Sequence, residues 1–177
     1  MIRGEQARLF FAVWPSPEIQ RALGQWGEVL QRNCGGRAVP ARNIHLTLVF
    51  LGDVARGRTE TLEGLAATVA GTPFGLTVDH VAFWRHNHIA WAGVLECPAA
   101  LTRLVGQLEQ LLSEAGFQID RRPYVPHITL VRNARRAPAQ RSSRPIQWPV
   151  ERFALMESVP RDRGRAYEVI REWPLAG

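Results

Sequence analysis

The pattern that most constrains this chain occurs twice. A short apolar run at residues 9–14 is followed by a helical pattern and then by a strand over residues 45–51. A strand near Ile89 is likewise followed by a helical pattern and then by a strand over residues 127–132. The second strands both begin with His-x-Thr, as His45-Leu46-Thr47-Leu48-Val49 and His127-Ile128-Thr129-Leu130-Val131. Two copies with so long a period indicate an internal duplication and not a solenoid, so we expect two similar lobes that face each other across a cleft.

Helix signals lie between these strands. Ser16 fits an N-cap with Pro17 at the first helical position, and apolar residues then recur at helical spacing as far as Gly35-Gly36. Pro98 begins a second helix of this kind, which Gly116 ends. A weaker amphipathic pattern over residues 62–69 predicts a third helix.

The remaining apolar segments predict antiparallel strands. Residues 74–84 and 88–95 predict a hairpin, and residues 150–159 and 166–173 predict a second hairpin around the turn 161–164. Residues 133–145 have no periodicity and predict an exposed basic loop. We therefore predict an α+β fold, a single bilobal domain over residues 1–177, in which each lobe is an antiparallel sheet packed with helices.

Composition narrows the function classes. The length of 177 residues suits one domain, and the net charge of +6 comes with 22 basic residues that are all arginine. Two explanations stay open, a compositional bias and the suitability of guanidinium groups for phosphate contacts. The run at 9–14 is too short for a signal peptide or membrane span, so we expect a cytoplasmic protein without a membrane partner. Cys34 and Cys97 lack CxxC spacing, which favours two reduced thiols.

Strand geometry assigns the motif residues to two faces. Side chains alternate along a strand, so His45 and Thr47 point one way while Leu46, Leu48 and Phe50 point the other. The same alternation places His127 and Thr129 together. One imidazole and one hydroxyl from each lobe then meet in the cleft, where two histidines suit acid-base cleavage of a phosphodiester. The threonines can hydrogen-bond the non-bridging phosphate oxygens, and this chemistry needs no metal or other cofactor.

The chain resembles the 2H phosphoesterase superfamily, which is defined by two H-x-[ST]-x motifs on pseudo-symmetric lobes. Within it, the chain is most similar to the RNA 2′,3′-cyclic phosphodiesterases, also called 2′-5′ RNA ligases. The resemblance covers residues 8–15, 40–52 and 122–132 and the C-terminal segment around Tyr167 and Trp173. Ala38, where relatives often carry an aromatic residue, and Val131, where the residue is frequently smaller, depart from the family pattern.

The resemblance implies hydrolysis of an RNA 2′,3′-cyclic phosphate to a 2′-phosphomonoester. It implies that His45 is the proton donor and His127 the proton acceptor, roles that the residues alone do not distinguish. Arg132 resembles a family arginine that approaches the substrate phosphate, although strand alternation places it opposite His127. A surface salt bridge is the alternative for Arg132. Tyr124, Phe11 and Trp14 are candidates to stack a terminal base, with core packing as the alternative.

Other functions remain open at this stage. The same site could join RNA ends through a 2′-5′ bond or open a small cyclic nucleotide. A non-catalytic RNA-binding module would use the arginine-rich loop 135–144 and would not need paired histidines. His86 and His88 form a second histidine pair, with His80 nearby, which raises the possibility of zinc. No third ligand stands at a typical spacing, and no carboxylate is evident to orient the histidines. We expect a monomer that acts on RNA ends or small cyclic nucleotides.

Overall fold

The computed structural model describes residues 5–139, 144–162 and 164–176. It has mixed α and β structure with antiparallel sheets, which confirms the predicted fold class. The helices are α1 (Pro17–Cys34), α2 (Thr59–Ala67) and α3 (Ala99–Glu114). The strands are β1 (Gln6–Val13), β2 (Arg37–Ala38), β3 (Leu46–Ala55), β4 (Phe74–Val78), β5 (His80–Trp84), β6 (Ile89–Gly93), β7 (His127–Arg132), β8 (Ile146–Val150), β9 (Arg152–Arg161) and β10 (Gly164–Pro174).

Two four-stranded sheets carry the repeat. Their strand orders are β10-β9-β1-β3 and β2-β7-β6-β5, and β4 pairs with β8 in a separate ribbon. The units β1-α1-β3 and β6-α3-β7 correspond, and in each the two strands are antiparallel neighbours. The motif strands β3 and β7 therefore occupy equivalent places in the two sheets.

Each long helix contacts the sheet of the other repeat. The N-terminus of α1 is capped as predicted, because the Ser16 hydroxyl accepts a hydrogen bond from the Ile19 amide at 3.4 Å. The same helix packs on β7, where a Cβ atom at Gly27 would lie 3.4 Å from the carbonyl oxygen of Leu130. Helix α3 in turn contacts β3. The two lobes consequently share one continuous core and hold the motif strands in a fixed relation.

Two strand predictions need correction. Residues 74–84 do not form one strand, because the chain changes sheets at Asp79, whose carboxylate accepts a hydrogen bond from the Leu95 amide at 2.9 Å. Its first part, β4, pairs with β8, a strand that the sequence did not reveal. The predicted end of the first motif strand at Gly52-Asp53 is also wrong. Gly52 has a φ of 71° at a bulge, and β3 continues to Ala55.

The C-terminal hairpin is confirmed as β9 and β10, although Arg163 in its turn lies outside the described residues. The structure describes only part of the predicted basic loop, because residues 140–143 lie outside the described residues. Arg136 donates from Nε to the carbonyl of Asn33 at 2.7 Å and so fastens the loop to the end of α1. None of the described helices combines the length and apolar character needed to cross a membrane.

Candidate active site

Both motif histidines are held in the same way. The Nδ1 atom of His45 lies 2.8 Å from the carbonyl oxygen of Asn43, and Nδ1 of His127 lies 2.9 Å from that of Val125. A carbonyl oxygen can only accept, so both Nδ1 atoms carry a proton and donate it. In the neutral rings this leaves the lone pair on Nε2, the atom that points away from the backbone. Nε2 of His45 accepts a hydrogen bond from the Thr47 hydroxyl at 3.0 Å.

A bulge follows each motif threonine. On β3, Thr47 pairs with Ala12 and Val49 with Phe11, so that Leu48 is an extra residue. On β7, Thr129 pairs with Trp91 and Val131 with Ala90, so that Leu130 is the extra residue. Because side chains alternate with a period of two, one extra residue moves every later side chain to the other face. The two repeats therefore share a local departure from regular strand geometry.

The bulges correct two predicted orientations. Arg132 does not lie opposite His127 and Thr129 but on the same face, because the bulge places the buried Val131 on the opposite face. Phe50 does not join Leu46 and Leu48 in the core but is 44% exposed, on the face that carries Thr47. Phe50 is the counterpart of Arg132 in the duplicated motif. Simple alternation over the strand could not have found either orientation.

Aromatic rings enclose His45. Trp14 stacks on it, with ring centres 5.1 Å apart and an angle of 2° between the planes. Phe10 lies at 5.1 Å, and Tyr167 approaches edge-on at 4.9 Å. Of the predicted stacking candidates, Trp14 thus lies against the imidazole, while Phe11 is fully buried and cannot reach a ligand.

His127 contacts tryptophans from the neighbouring hairpin. Trp84 at the end of β5 approaches its ring edge-on at 4.5 Å, and Trp91 on β6 lies at 6.2 Å. The sequence prediction missed Trp84. The signal that could have found it is its position at the end of a predicted hairpin strand, just before the strand that begins the second repeat. Because β6 lies between β5 and β7 in the sheet, the large side chain of Trp84 on β5 can reach His127 on β7.

The surroundings favour neutral imidazoles at both motifs. Burial lowers the pKa of His45 from its ordinary 6.5 to about 4, an effect that its hydrogen bond to Asn43 opposes and the charges of Arg132 and His127 reinforce. Burial also lowers the pKa of His127, and the charge of Arg132 adds to that effect. A phosphate between the rings would supply the opposite charge and raise both values.

Tyr124 has a defined partner in the first motif strand. Its hydroxyl donates to the carbonyl oxygen of Thr47 at 3.0 Å and thereby ties the segment before β7 to β3. Burial raises the pKa of this hydroxyl. The ring packs against the shared core, and stacking on a base stays a prediction for Tyr124.

The other three histidines point to different partners. His80 contacts Trp91, His86 contacts Trp84 and His88 contacts Phe83. Within the described ranges, no group of three or more histidine, cysteine, aspartate or glutamate side chains is arranged to hold a metal ion.

Comparison with known proteins agrees with this geometry. The model of the 2′-5′ RNA ligase superfamily matches residues 15–162. A curated relative from Escherichia coli strain K12, named RNA 2′,3′-cyclic phosphodiesterase, is 35% identical over 75% of this chain and 76% of its own length. A relative of the same name from Thermus thermophilus is 31% identical over 96% of this chain and 91% of its own.

Solved structures show the same architecture. A crystal structure of E. coli LigT complexed with 3′-AMP superposes with a TM-score of 0.91 at 31% identity, over 98% of this chain and all of the other. The apo form of E. coli LigT gives a TM-score of 0.89 at 30% identity, with the same coverage. These similarities confirm the resemblance that the paired motifs predicted.

Proposed function

This chain belongs to the 2′-5′ RNA ligase superfamily, and from that membership we propose that it hydrolyses RNA 2′,3′-cyclic phosphate ends to 2′-phosphomonoesters. The observation that carries the proposal is the matched pair of imidazoles. Each is fixed through Nδ1 to a backbone carbonyl two residues earlier, which leaves the lone pair of the neutral ring on Nε2, the atom proposed to transfer protons. Two such groups meet what the reaction needs, one base for water and one acid for the leaving oxygen.

The proposed mechanism uses His127 as the base and His45 as the acid. Nε2 of neutral His127 removes a proton from water, whose oxygen attacks phosphorus. The bond from phosphorus to the 3′ oxygen breaks, and Nε2–H of protonated His45 gives its proton to that oxygen. The product is a 2′-phosphomonoester with a free 3′ hydroxyl.

Charge and hydrogen bonding support the phosphate in this scheme. We assign Thr47 and Thr129 to the non-bridging oxygens, because each hydroxyl accompanies its histidine on the cleft face. Arg132 shares that face and would neutralise the phosphate. Since burial holds the pKa of His45 at about 4 in the free protein, the donor role depends on the bound anion, which stabilises the protonated imidazole.

The test is incubation with a short RNA that ends in a 2′,3′-cyclic phosphate, with a metal chelator present throughout. We expect a 2′-phosphate product and no requirement for added metal. A 3′-phosphate product, or activity that disappears with the chelator, would refute the mechanism. Running the reaction with a mononucleoside cyclic phosphate and with RNA carrying a 5′ hydroxyl separates hydrolysis from the alternatives of small-nucleotide opening and end joining.

Substitutions then assign the residues. We expect His45→Gln and His127→Gln each to lower kcat by about 10²- to 10⁴-fold, the usual contribution of a positioned acid or base. The double variant would lose little more than the worse single variant, because the two groups act as one unit. His88→Gln is the matched control, since its ring lies in the β5–β6 turn and contacts Phe83, which packs against the core. If His45→Gln retains RNA binding and turns over substrate at the wild-type rate, a different pair of residues acts as the catalytic acid and base.

A further inference from the structure

Two arginines face each other across neighbouring strands at the end of the cleft. Arg37 on β2 is the direct partner of Arg132 on β7, and the next pair is Ala38 with Val131. Val131 is fully buried, and Ala38 lies 4.0 Å from the Cβ position of Gly27 on α1, so this second pair faces the core. Paired residues share a face and successive pairs alternate. Arg37 and Arg132 therefore both lie on the face of this sheet that carries His127.

The pair has no acidic partner within the described part of the chain. Both arginines are exposed, and neither forms an ion pair or a side-chain hydrogen bond with any residue that the structure describes. Arg136 and Arg165, in contrast, donate to the carbonyl oxygens of Asn33 and Ser158. Like charges directly opposite each other across two strands are destabilising. An anion between the two guanidinium groups would remove that repulsion.

The backbone is adapted to bring the two arginines together. Gly36, which precedes Arg37, has a φ of 84°, and a Cβ atom there would lie 2.5 Å from the carbonyl oxygen of Arg132. Only glycine allows both the left-handed conformation and this close approach. Beyond the pair, the Val39 amide donates to the Leu130 carbonyl at 2.8 Å and continues the contact between the segments. The two-residue strand β2 is thus fixed beside the end of β7.

We propose that Arg37 and Arg132 form a subsite for a second phosphate, the phosphodiester that precedes the 2′,3′-cyclic phosphate of an oligoribonucleotide. This inference rests on the proposed function. Arg132 lies three residues beyond Thr129, about 10 Å along a strand at about 3.3 Å per residue. Arg37 lies on the neighbouring strand β2, about 4.8 Å from Arg132 across the sheet. Arg132 can reach either phosphate, whereas Arg37 is placed for the second alone, so the enzyme prefers an oligonucleotide to a mononucleotide.

The experiment compares two substrates in three proteins. The substrates are a mononucleoside 2′,3′-cyclic phosphate and a dinucleotide with the same terminal group, and the proteins are wild type, Arg37→Gln and Arg103→Gln. Arg103 is an exposed arginine on α3, so its replacement makes the same charge change on the helix instead of the cleft. We expect Arg37→Gln to lower kcat/KM for the dinucleotide about tenfold, mainly through KM. For the mononucleotide the change is under about twofold, and Arg103→Gln changes neither.

Two further measurements identify the phosphate as the contact. Replacing the internal phosphodiester of the dinucleotide by an uncharged methylphosphonate lowers wild-type kcat/KM about tenfold but has little further effect in Arg37→Gln. The slope of log KM for the dinucleotide against log salt concentration falls by about 0.7 in that variant, the value for one contact to single-stranded nucleic acid.

The outcomes separate this inference from the proposed function. Equal losses for both substrates, or no loss for either in Arg37→Gln, overturn the subsite. If wild type hydrolyses neither substrate, the proposed function fails. The subsite is then decided by equilibrium binding of a dinucleotide and a mononucleotide that each carry a 2′-phosphate. Weaker binding of the dinucleotide alone in Arg37→Gln supports the subsite, and unchanged binding refutes it.

Discussion

The partly buried imidazole of His45 makes the fold sensitive to acid, and the size of the effect can be worked out. Its folded-state pKa is about 4, against 6.5 for an exposed histidine. Between these two pH values the unfolded chain binds a proton at this position and the folded chain does not. The free energy of unfolding therefore falls as pH decreases from 6.5 towards 4.

The linkage relation gives the magnitude. At pH 4 the unfolded histidine is almost fully protonated and the folded one is half protonated, so His45 alone removes about 3 kcal/mol of stability relative to pH 7. Replacing His45 by glutamine removes this contribution. We expect the stability of His45→Gln to fall with acid by about 3 kcal/mol less than that of wild type.

Urea unfolding at pH 7 and at pH 4, followed by tryptophan fluorescence, measures this difference. Phe10→Leu is the control, because Phe10 packs 5.1 Å from the same ring but does not titrate. It should lower stability by a similar amount at both pH values and keep the wild-type loss between them. If wild type and His45→Gln lose the same free energy between pH 7 and pH 4, His45 is not buried in neutral form and the reasoning fails.

Three further predictions concern catalysis. The profile of kcat/KM against pH is expected to be bell-shaped with both limbs below pH 6.5, because the pKa of each motif histidine is lowered in the free protein; a limb above 6.5 would contradict this. Asn43→Ala removes the bond from Nδ2 to the Arg165 carbonyl at 2.9 Å, which holds the start of β10 and with it Tyr167 against His45. We expect Asn43→Ala to lower kcat by up to about tenfold, to shift the limb of the kcat/KM pH profile assigned to His45, and to lower the free energy of unfolding by about 1 kcal/mol. An unchanged pH profile would leave Asn43 only a structural role. Phe50→Ala is expected to raise KM about tenfold and Phe50→Tyr to preserve it, measured on the cyclic-phosphate dinucleotide, because an exposed ring on the cleft face can stack a base; equal KM in all three proteins would exclude this contact.

The sequence contained enough to predict the repeat and its motif strands. The Ser16-Pro17 start of α1 and the Pro98 and Gly116 limits of α3 are local signals, and the structure has both helices within a residue or two of them. The packing of each long helix against the sheet of the other repeat could not be predicted in this way. It depends on how α1 fits against β7 at Gly27, a long-range contact that leaves no periodicity in the sequence.

Strand alternation failed just beyond the motif residues. It holds for His45 and Thr47 and again for His127 and Thr129, but an extra leucine after each threonine reverses it. Leu48 and Leu130 are ordinary apolar residues, and nothing in their identity marks a bulge. The bulge is defined by pairing with β1 and β6, so it appears only when the partner strands are known.

The same bulges would give a duplicated fold the asymmetry that the proposed reaction needs. Two equivalent His-x-Thr motifs would bind a phosphate equally well in either direction. The positions that the bulges turn into the cleft differ, with Phe50 after the first motif and Arg132 after the second. An aromatic ring suits a base and a guanidinium suits a phosphate, so in the proposed mechanism these two side chains would favour one orientation of the RNA end. That orientation would present the leaving oxygen to one histidine and water to the other, so the direction of the proposed proton transfer would follow from residues outside the motifs.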